Sequence, residues 1–242
     1  MLPEMIVASR TDTGRVRSQN EDAVFADTSL GLLIVADGMG GHRGGEVASR
    51  LAVTTIAEYL RGASLDGDAG DLLPKAICLA DETILRCASK DPELAGMGTT
   101  AVVALCSGAE VYVAHVGDSR AYLLHDGQLR RLTEDHSLVN EMLRNGEITP
   151  REARQHHLRH YLMRSLGNRN TPRPDVRVLD WQPGDLLLLC SDGLTGMVAE
   201  HAIRRTLLRL GDDLEHACDE LVRTANAKGG KDNISVLLAR RN

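Results

Sequence analysis

Residues 100–132, TAVVALCSGAEVYVAHVGDSRAYLLHDGQLRRL, hold four short apolar, strand-like runs, at 100–106, 110–116, 120–125 and 128–132. The links between them, SGAE, GDS and DG, are of the kind that reverse a chain, so the stretch predicts an antiparallel meander. Asp126, in the last link, reads as a plain hairpin tip and not as a ligand. Further runs at 5–9, 23–27, 31–36, 176–180, 185–190 and 234–240 predict more strands. Helical periodicity comes in two pairs, 45–60 with 72–88 and 199–210 with 213–227. Segment 45–60 aligns Val47, Leu51, Ala52, Ile56 and Leu60, and segment 72–88 aligns Leu73, Ile77, Ala80, Ile84 and Ala88. Segment 213–227 does the same with Leu214, Ala217, Cys218, Leu221, Val222 and Ala225. Two helical hairpins interrupting a strand-rich chain favour an α+β fold, with sheets in the middle and helices outside.

At 242 residues, with no Pro/Gly/Ser-rich linker, the chain reads as a single domain, 1–242. A net charge of -6 and 2% aromatic residues argue against a surface that tracks phosphates and stacks bases, so no nucleic acid is expected as a partner. The five cysteines are odd in number, lack CxxC spacing and mostly fall inside apolar patterns, which points to a reducing, cytoplasmic setting. No run approaches the roughly 18 apolar residues of a membrane span, and no leader, sensor or targeting segment is read at the start, so membrane insertion is not expected. Residues 133–168 break the rhythm. They are polar, with two short helices, the second opened by a capping box at Thr149 and Glu152. This segment is expected to lie on the surface as a flap beside the active site.

Four aspartates stand at the edges of strand-like runs across nearly the whole chain: Asp37, Asp118, Asp192 and Asp232. Carboxylates repel one another when gathered, so such a set is costly unless cations neutralise it. Oxygen donors without His or Cys partners point to Mg²⁺ or Mn²⁺ rather than zinc. Two such ions supply both a nucleophile and charge stabilisation for phosphate-ester hydrolysis. Asp37 is the natural bridge between them, and Asp192 and Asp232 complete one ion's shell. In RSQNEDAVF, Arg17 offers a fork for a phosphate dianion, while Glu21 and Asp22 can orient metal-bound water.

The ordered set GRVRSQNED, VADGMGGHRGGEVAS, MGTT, VAHVGDSRAYLL, LTEDHS, GEITPREA, SLG, PGDLLLLCSDGL and KDNIS closely resembles the bacterial metal-dependent Ser/Thr protein phosphatase (PPM) family, from about residue 9 to 240. The resemblance implies a four-layer α-β-β-α sandwich of two antiparallel sheets flanked by helix pairs. It implies hydrolysis of phosphoserine and phosphothreonine in proteins by a hydroxide bridging two tightly bound ions. It places Asp37 and the Gly38 carbonyl at the binuclear centre, Asp192 and Asp232 on its first ion, and Asp118 with Asp192 on a weaker third ion. Arg17 matches the phosphate-binding arginine, Glu21 and Asp22 the water-mediated contacts, and 133–168 the mobile flap. Many eukaryotic members carry His directly after the DG as a general acid. Here that position is Met39, and His42 is the nearest alternative donor, metal-bound water being another. The flap also reads His157-Leu158 where related bacterial flaps often read His-Pro.

Two rivals remain: a catalytically silent phosphoprotein-binding domain on the same fold, and a two-metal phosphodiesterase or nuclease. The first would have lost an acidic ligand, and none is lost here; the second suits neither the charge nor the scarcity of aromatics. Expected partners are phosphorylated proteins, a Ser/Thr kinase and/or a forkhead-associated-domain protein. In its compact form the chain is similar to phosphatases that accompany such a pair in bacterial type VI secretion. Flap side chains Arg151, Arg154, His157 and Arg159 are expected to meet substrate protein beside the phosphoresidue.

Overall fold

The computed structural model describes residues 4–40, 44–63, 69–168 and 172–242. One sheet runs in the order β1 (Met5–Asp12), β11 (Ile234–Arg241), β10 (Leu186–Cys190), β7 (Arg120–His125), β8 (Gln128–Arg131). The other runs β2 (Asp22–Asp27), β3 (Leu32–Met39), β5 (Ala101–Ser107), β6 (Glu110–Val116), β9 (Asp175–Asp180), with the short β4 (Gly98–Thr99) on the end of β3. All pairings are antiparallel. Helices α1 (Gly44–Gly62) and α2 (Ala69–Ala88) cover the six-stranded sheet. Helices α6 (Glu200–Leu210) and α7 (Leu214–Ala227) cover the five-stranded one.

The sequence dictates this layering through strands buried on both faces. In β3, Leu32, Ile34 and Ala36 pack beneath α1 and α2, while Leu33 and Val35 point into the space between the sheets. In β10, Leu186, Leu188 and Cys190 meet α6 and α7, and Leu187 and Leu189 face the other sheet. Successive side chains point to opposite faces, so a strand buried twice has no polar alternation, as in LLIVA and LLLLC. The expected α-β-β-α sandwich is what forms. Among the described residues, no helix is long and apolar enough to cross a membrane.

The predicted meander needs correcting. SGAE and DG do close hairpins, β5–β6 and β7–β8, and Asp126 (φ 46) with Gly127 (φ 70) forms the tip of the second. The GDS link does not. Strands β6 and β7 belong to different sheets, and residues 117–119 carry the chain from one to the other. Gly117 permits this step with a φ of 107, and a Cβ there would sit 2.5 Å from the Thr100 side chain. Asp118 therefore stands on a crossover between the two sheets.

Segment 133–168 contains α3 (Leu138–Arg144) and α4 (Pro150–Gln155), the second opened by the expected Thr149–Glu152 capping box. Backbone bonds from Leu138 N–H to the Tyr161 carbonyl (3.0 Å) and from Met163 N–H to that of His136 (2.8 Å) close it on itself. A short helix, α5 (Asp192–Thr195), follows β10 directly.

Candidate metal centre

Strand register builds the first part of the site. Asp22 on β2 and Asp37 on β3 are directly opposed residues of the ladder. Like charges placed opposite each other destabilise a sheet. Both backbone groups of Asp37 are fixed: its N–H donates to Thr100 Oγ1 (3.0 Å), and its carbonyl accepts from Thr100 N–H and Thr99 Oγ1, both at 2.9 Å. Only the carboxylate is left to act. Burial first, then the charges of Asp22, Asp192, Asp118 and Asp232, hold it well above the usual carboxylate range. Five acidic side chains from β2, β3, the crossover, the start of α5 and the turn before β11 thus converge.

Asp22 shows most directly what this gathering lacks. Burial pushes it up to about 7, against hydrogen bonds from Ser235 and Ser191 and with the help of Asp192 and Asp232. Its Oδ2 accepts from Ser191 Oγ at 2.8 Å, while Oδ1 is buried with no partner among the described residues. A buried carboxylate oxygen with no donor, among other carboxylates, fits a cation or its bound water. Asp118 is raised likewise, by burial and then by Asp192 and Asp135, with Arg120 offsetting part of it.

Close backbone approach completes the frame. A Cβ on Gly38 would lie 2.1 Å from the Gly45 carbonyl, so the residue after Asp37 must be bare for α1 to start where it does. Gly38 N–H donates to the Glu21 carbonyl (3.1 Å), and the Glu21 carboxylate accepts from Gly45 N–H at the start of α1. That contact suits an anion at a helix N-terminus. Glu21 is thus held beside Asp37 as a capping group.

Asn233 organises the other side and was missed in the sequence, where only its neighbour Asp232 stood out. Its Oδ1 accepts from Glu21 N–H (2.8 Å), and its Nδ2 donates to the carbonyls of Thr13 (3.0 Å) and Gln19 (2.8 Å). One amide so pins the loop carrying Arg17 against Asp232. Arg17 Nη2 donates to Asp232 Oδ2 at 2.8 Å, with its side chain half-exposed. Ser191 and Thr100 were missed too: hydroxyls are too common to signal a role.

From the flap, His160 Nδ1 lies 3.7 Å from Asp192 Oδ2, a contact the sequence did not suggest. Arg151, His157 and Arg159 are exposed, and the contacts described for them are to the flap's own residues, His157 stacking on His156 at 4.6 Å. His42 and the side chain of Arg154 lie outside the described residues.

Oxygen donors converging at one end of a two-sheet sandwich, with an exposed arginine beside them, define a divalent-metal phosphoester hydrolase. The protein phosphatase 2C family model matches residues 13–239. The chain is 44% identical over 239 residues to the serine/threonine phosphatase stp of Listeria welshimeri, covering 96% of this chain and 94% of that protein. It is 39% identical over 237 residues to the serine/threonine protein phosphatase PstP of Mycobacterium tuberculosis, covering 96% of this chain and 44% of that protein. Among solved structures, the catalytic domain of PstP in complex with 2 manganese ions superposes with a TM-score of 0.88 at 36% identity, over 98% of this chain and 97% of that one. PppA, a regulatory component of the type VI secretion system in Pseudomonas aeruginosa, gives 0.87 at 31% identity, over 100% and 99%. The chain belongs to the protein phosphatase 2C family of metal-dependent serine/threonine protein phosphatases.

Proposed function

We propose that Asp37, the Gly38 carbonyl, Asp192 and Asp232 hold two divalent ions, Mn²⁺ or Mg²⁺, and that Asp118 with Asp192 holds a weaker third. Glu21 and Asp22 act on this centre through water. The observation that carries this reading is the buried Asp22 Oδ1 without a partner among the described residues, opposite an Asp37 surrounded by four other carboxylates. When bound, such ions supply Lewis acidity and a water nucleophile of lowered pKa. The protein's part is to position. Asp37, fixed by Thr99 and Thr100, sets the frame; Arg17, held at the mouth by Asp232, receives the phosphate dianion; Asn233 keeps that loop in place. A covalent route through Cys106, Cys190 or Cys218 does not fit, because burial pushes their thiols up to about 12. The candidates for proton donor to the departing serine or threonine oxygen are His42 and water at the centre.

Phosphopeptide turnover tests this. Activity is expected to vanish in chelator and to return with Mn²⁺ more than with Zn²⁺; turnover by metal-free protein would refute it. Arg17→Ala is expected to raise KM for phosphopeptides about tenfold or more with a smaller change in kcat, if the guanidinium mainly holds the ground-state dianion. A pure loss of kcat would assign it to the transition state instead.

The reading extends to the whole chain: one catalytic domain, 1–242, with a flap at about 133–168 that recognises substrate protein. The His160–Asp192 approach supports placing the flap at the cleft edge. Substitution of Arg151 and Arg159 is expected to lower kcat/KM for a phosphopeptide far more than for p-nitrophenyl phosphate. Equal losses on both, with a lowered melting temperature, would reduce the flap to a shield. As partners we propose an opposing Ser/Thr kinase and/or a forkhead-associated-domain protein, with the cytoplasm as the setting, on the sequence resemblance and the cysteine pattern.

A further inference from the structure

Four side chains unused so far, those of His115, His136, Arg164 and Asp175, gather where the flap meets the six-stranded sheet. One donor atom each from His115, His136 and Asp175 lie within 4.8 Å of one another, a spacing that suits a cation. The geometry points elsewhere. The two imidazoles are stacked, with centroids 4.6 Å apart and planes 18° from parallel, so their in-plane lone pairs run side by side instead of converging. Arg164 Nη1 is already there, 3.0 Å from Asp175 Oδ1 and 3.2 Å from His136 Nε2. A guanidinium fills the place a metal would take.

His136 is buried, and burial, followed by the neighbouring His115, lowers its pKa, so the ring is neutral with one donor and one acceptor. Asp175 Oδ2, 3.2 Å from Nε2, accepts the ring N–H. That leaves Nδ1 as an acceptor, and Gly117 N–H donates to it at 3.2 Å. The backbone N–H of His136 donates in turn to the Gly117 carbonyl at 2.9 Å. One residue thus grips Gly117 by both of its peptide groups. Gly117 is the crossover glycine with positive φ, it has no side chain of its own to fix it, and the next residue is Asp118. On the far side, Ser119 Oγ is tied to Thr100 Oγ1 at 2.7 Å. The His136 carbonyl accepts from Met163 N–H at 2.8 Å, so the same residue is bonded to the last turn of the flap.

We propose that His136 is a positioning residue for Asp118: its Nδ1 fixes the N–H of the Val116–Gly117 peptide while its backbone N–H holds the Gly117 carbonyl, and this two-point grip on the residue before Asp118 ties the weaker cation site to the base of the flap. This rests on the reading of Asp118 as a ligand of the third ion. In this view Asp175, which accepts from Nε2–H and is itself held by Arg164, keeps the imidazole in the tautomer that accepts at Nδ1.

The test compares two amides that each mimic half of the ring. In His136→Asn the side-chain oxygen falls near the Nδ1 position and can still accept from Gly117. In His136→Gln the amide falls near Nε2, keeps the link to Asp175 and leaves Gly117 N–H without its acceptor. Mn²⁺ binding to initially metal-free protein is followed by calorimetry, and the Gly117 and Asp118 amide signals by NMR without metal. Outer-shell partners of metal ligands are worth about 10- to 100-fold in affinity, so His136→Gln is expected to weaken the weakest Mn²⁺ site at least about tenfold and to shift the Gly117 amide, while His136→Asn stays within about threefold of the parent. The tight sites stay unchanged in both. Equal weakening by the two variants would mean that His136 only packs, and an intact weak site in His136→Gln would overturn the proposal. Asp118→Ala separates the two layers of the argument. If it leaves every Mn²⁺ site intact, the third-ion reading fails, and the Gly117 amide in metal-free His136→Gln then decides on His136 alone, an unshifted signal refuting it.

Discussion

Asp37→Asn is expected to abolish turnover and, in metal-free protein, to raise the melting temperature. The two effects have one cause. Burial and the charges of Asp22, Asp192, Asp118 and Asp232 all disfavour the ionised Asp37 carboxylate when no cation is there to neutralise it. An amide of the same shape removes that charge and brings donors to neighbours that are acceptors only, which is worth roughly 1–3 kcal/mol for a buried polar group. For a chain of this size that is about 2–4 °C per kcal/mol. Turnover should fall at least about a thousandfold, because losing an ion that stabilises transition-state charge costs several kcal/mol. With Mn²⁺ at a hundredfold excess over its Kd, the parent gains about 2.7 kcal/mol and the order of melting reverses. Thermal melts with chelator and with Mn²⁺ check both halves. A lowered melting temperature of the variant in chelator would mean that Asp37 serves the fold through contacts of its own, and the charge argument would be wrong.

Gly193→Ala should do the opposite damage, breaking the site by breaking the frame. A Cβ on Gly193 would lie 2.0 Å from the Asn233 carbonyl oxygen and 2.9 Å from its carbon, both backbone atoms with nowhere to move cheaply. Gly193 follows Asp192, and Asn233 follows Asp232 and pins the Arg17 loop. Overpacking at such a contact costs about 3 kcal/mol or more. Relief would push two acidic residues and the loop carrying Arg17 apart together, so Mn²⁺ affinity and phosphopeptide turnover should fall with stability. Denaturant unfolding monitors the first loss and calorimetry the second. Gly62→Ala, at the end of α1 where a Cβ meets nothing within 4 Å among the described residues, is the control and should stay within about 0.5 kcal/mol of the parent. A Gly193→Ala protein with parental stability would show that the α5–β11 contact yields more easily than its geometry implies.

By itself the sequence determined the elements. Periodicity placed the four long helices, the DG at Asp126 marked its hairpin tip, Thr149 and Glu152 declared their capping box, and the acidic residues at strand ends stood out by chemical type. Each of these signals is local, written within a few residues of where it acts. The sheet assignment was not, because strands such as LLIVA and LLLLC are apolar on both faces and carry no mark of which partner they take. Tertiary structure alone decided that GDS crosses between sheets instead of closing a hairpin, which is what brings Asp118 toward Asp192. It alone set the register that opposes Asp22 to Asp37, since cross-strand pairs depend on alignment between segments distant in the chain. The roles of Asn233, Ser191, Thr100, His160 and His136 likewise exist only as distances. Amides, hydroxyls and imidazoles are common in any chain, and they acquire a function when folding places one particular N–H or carbonyl within reach.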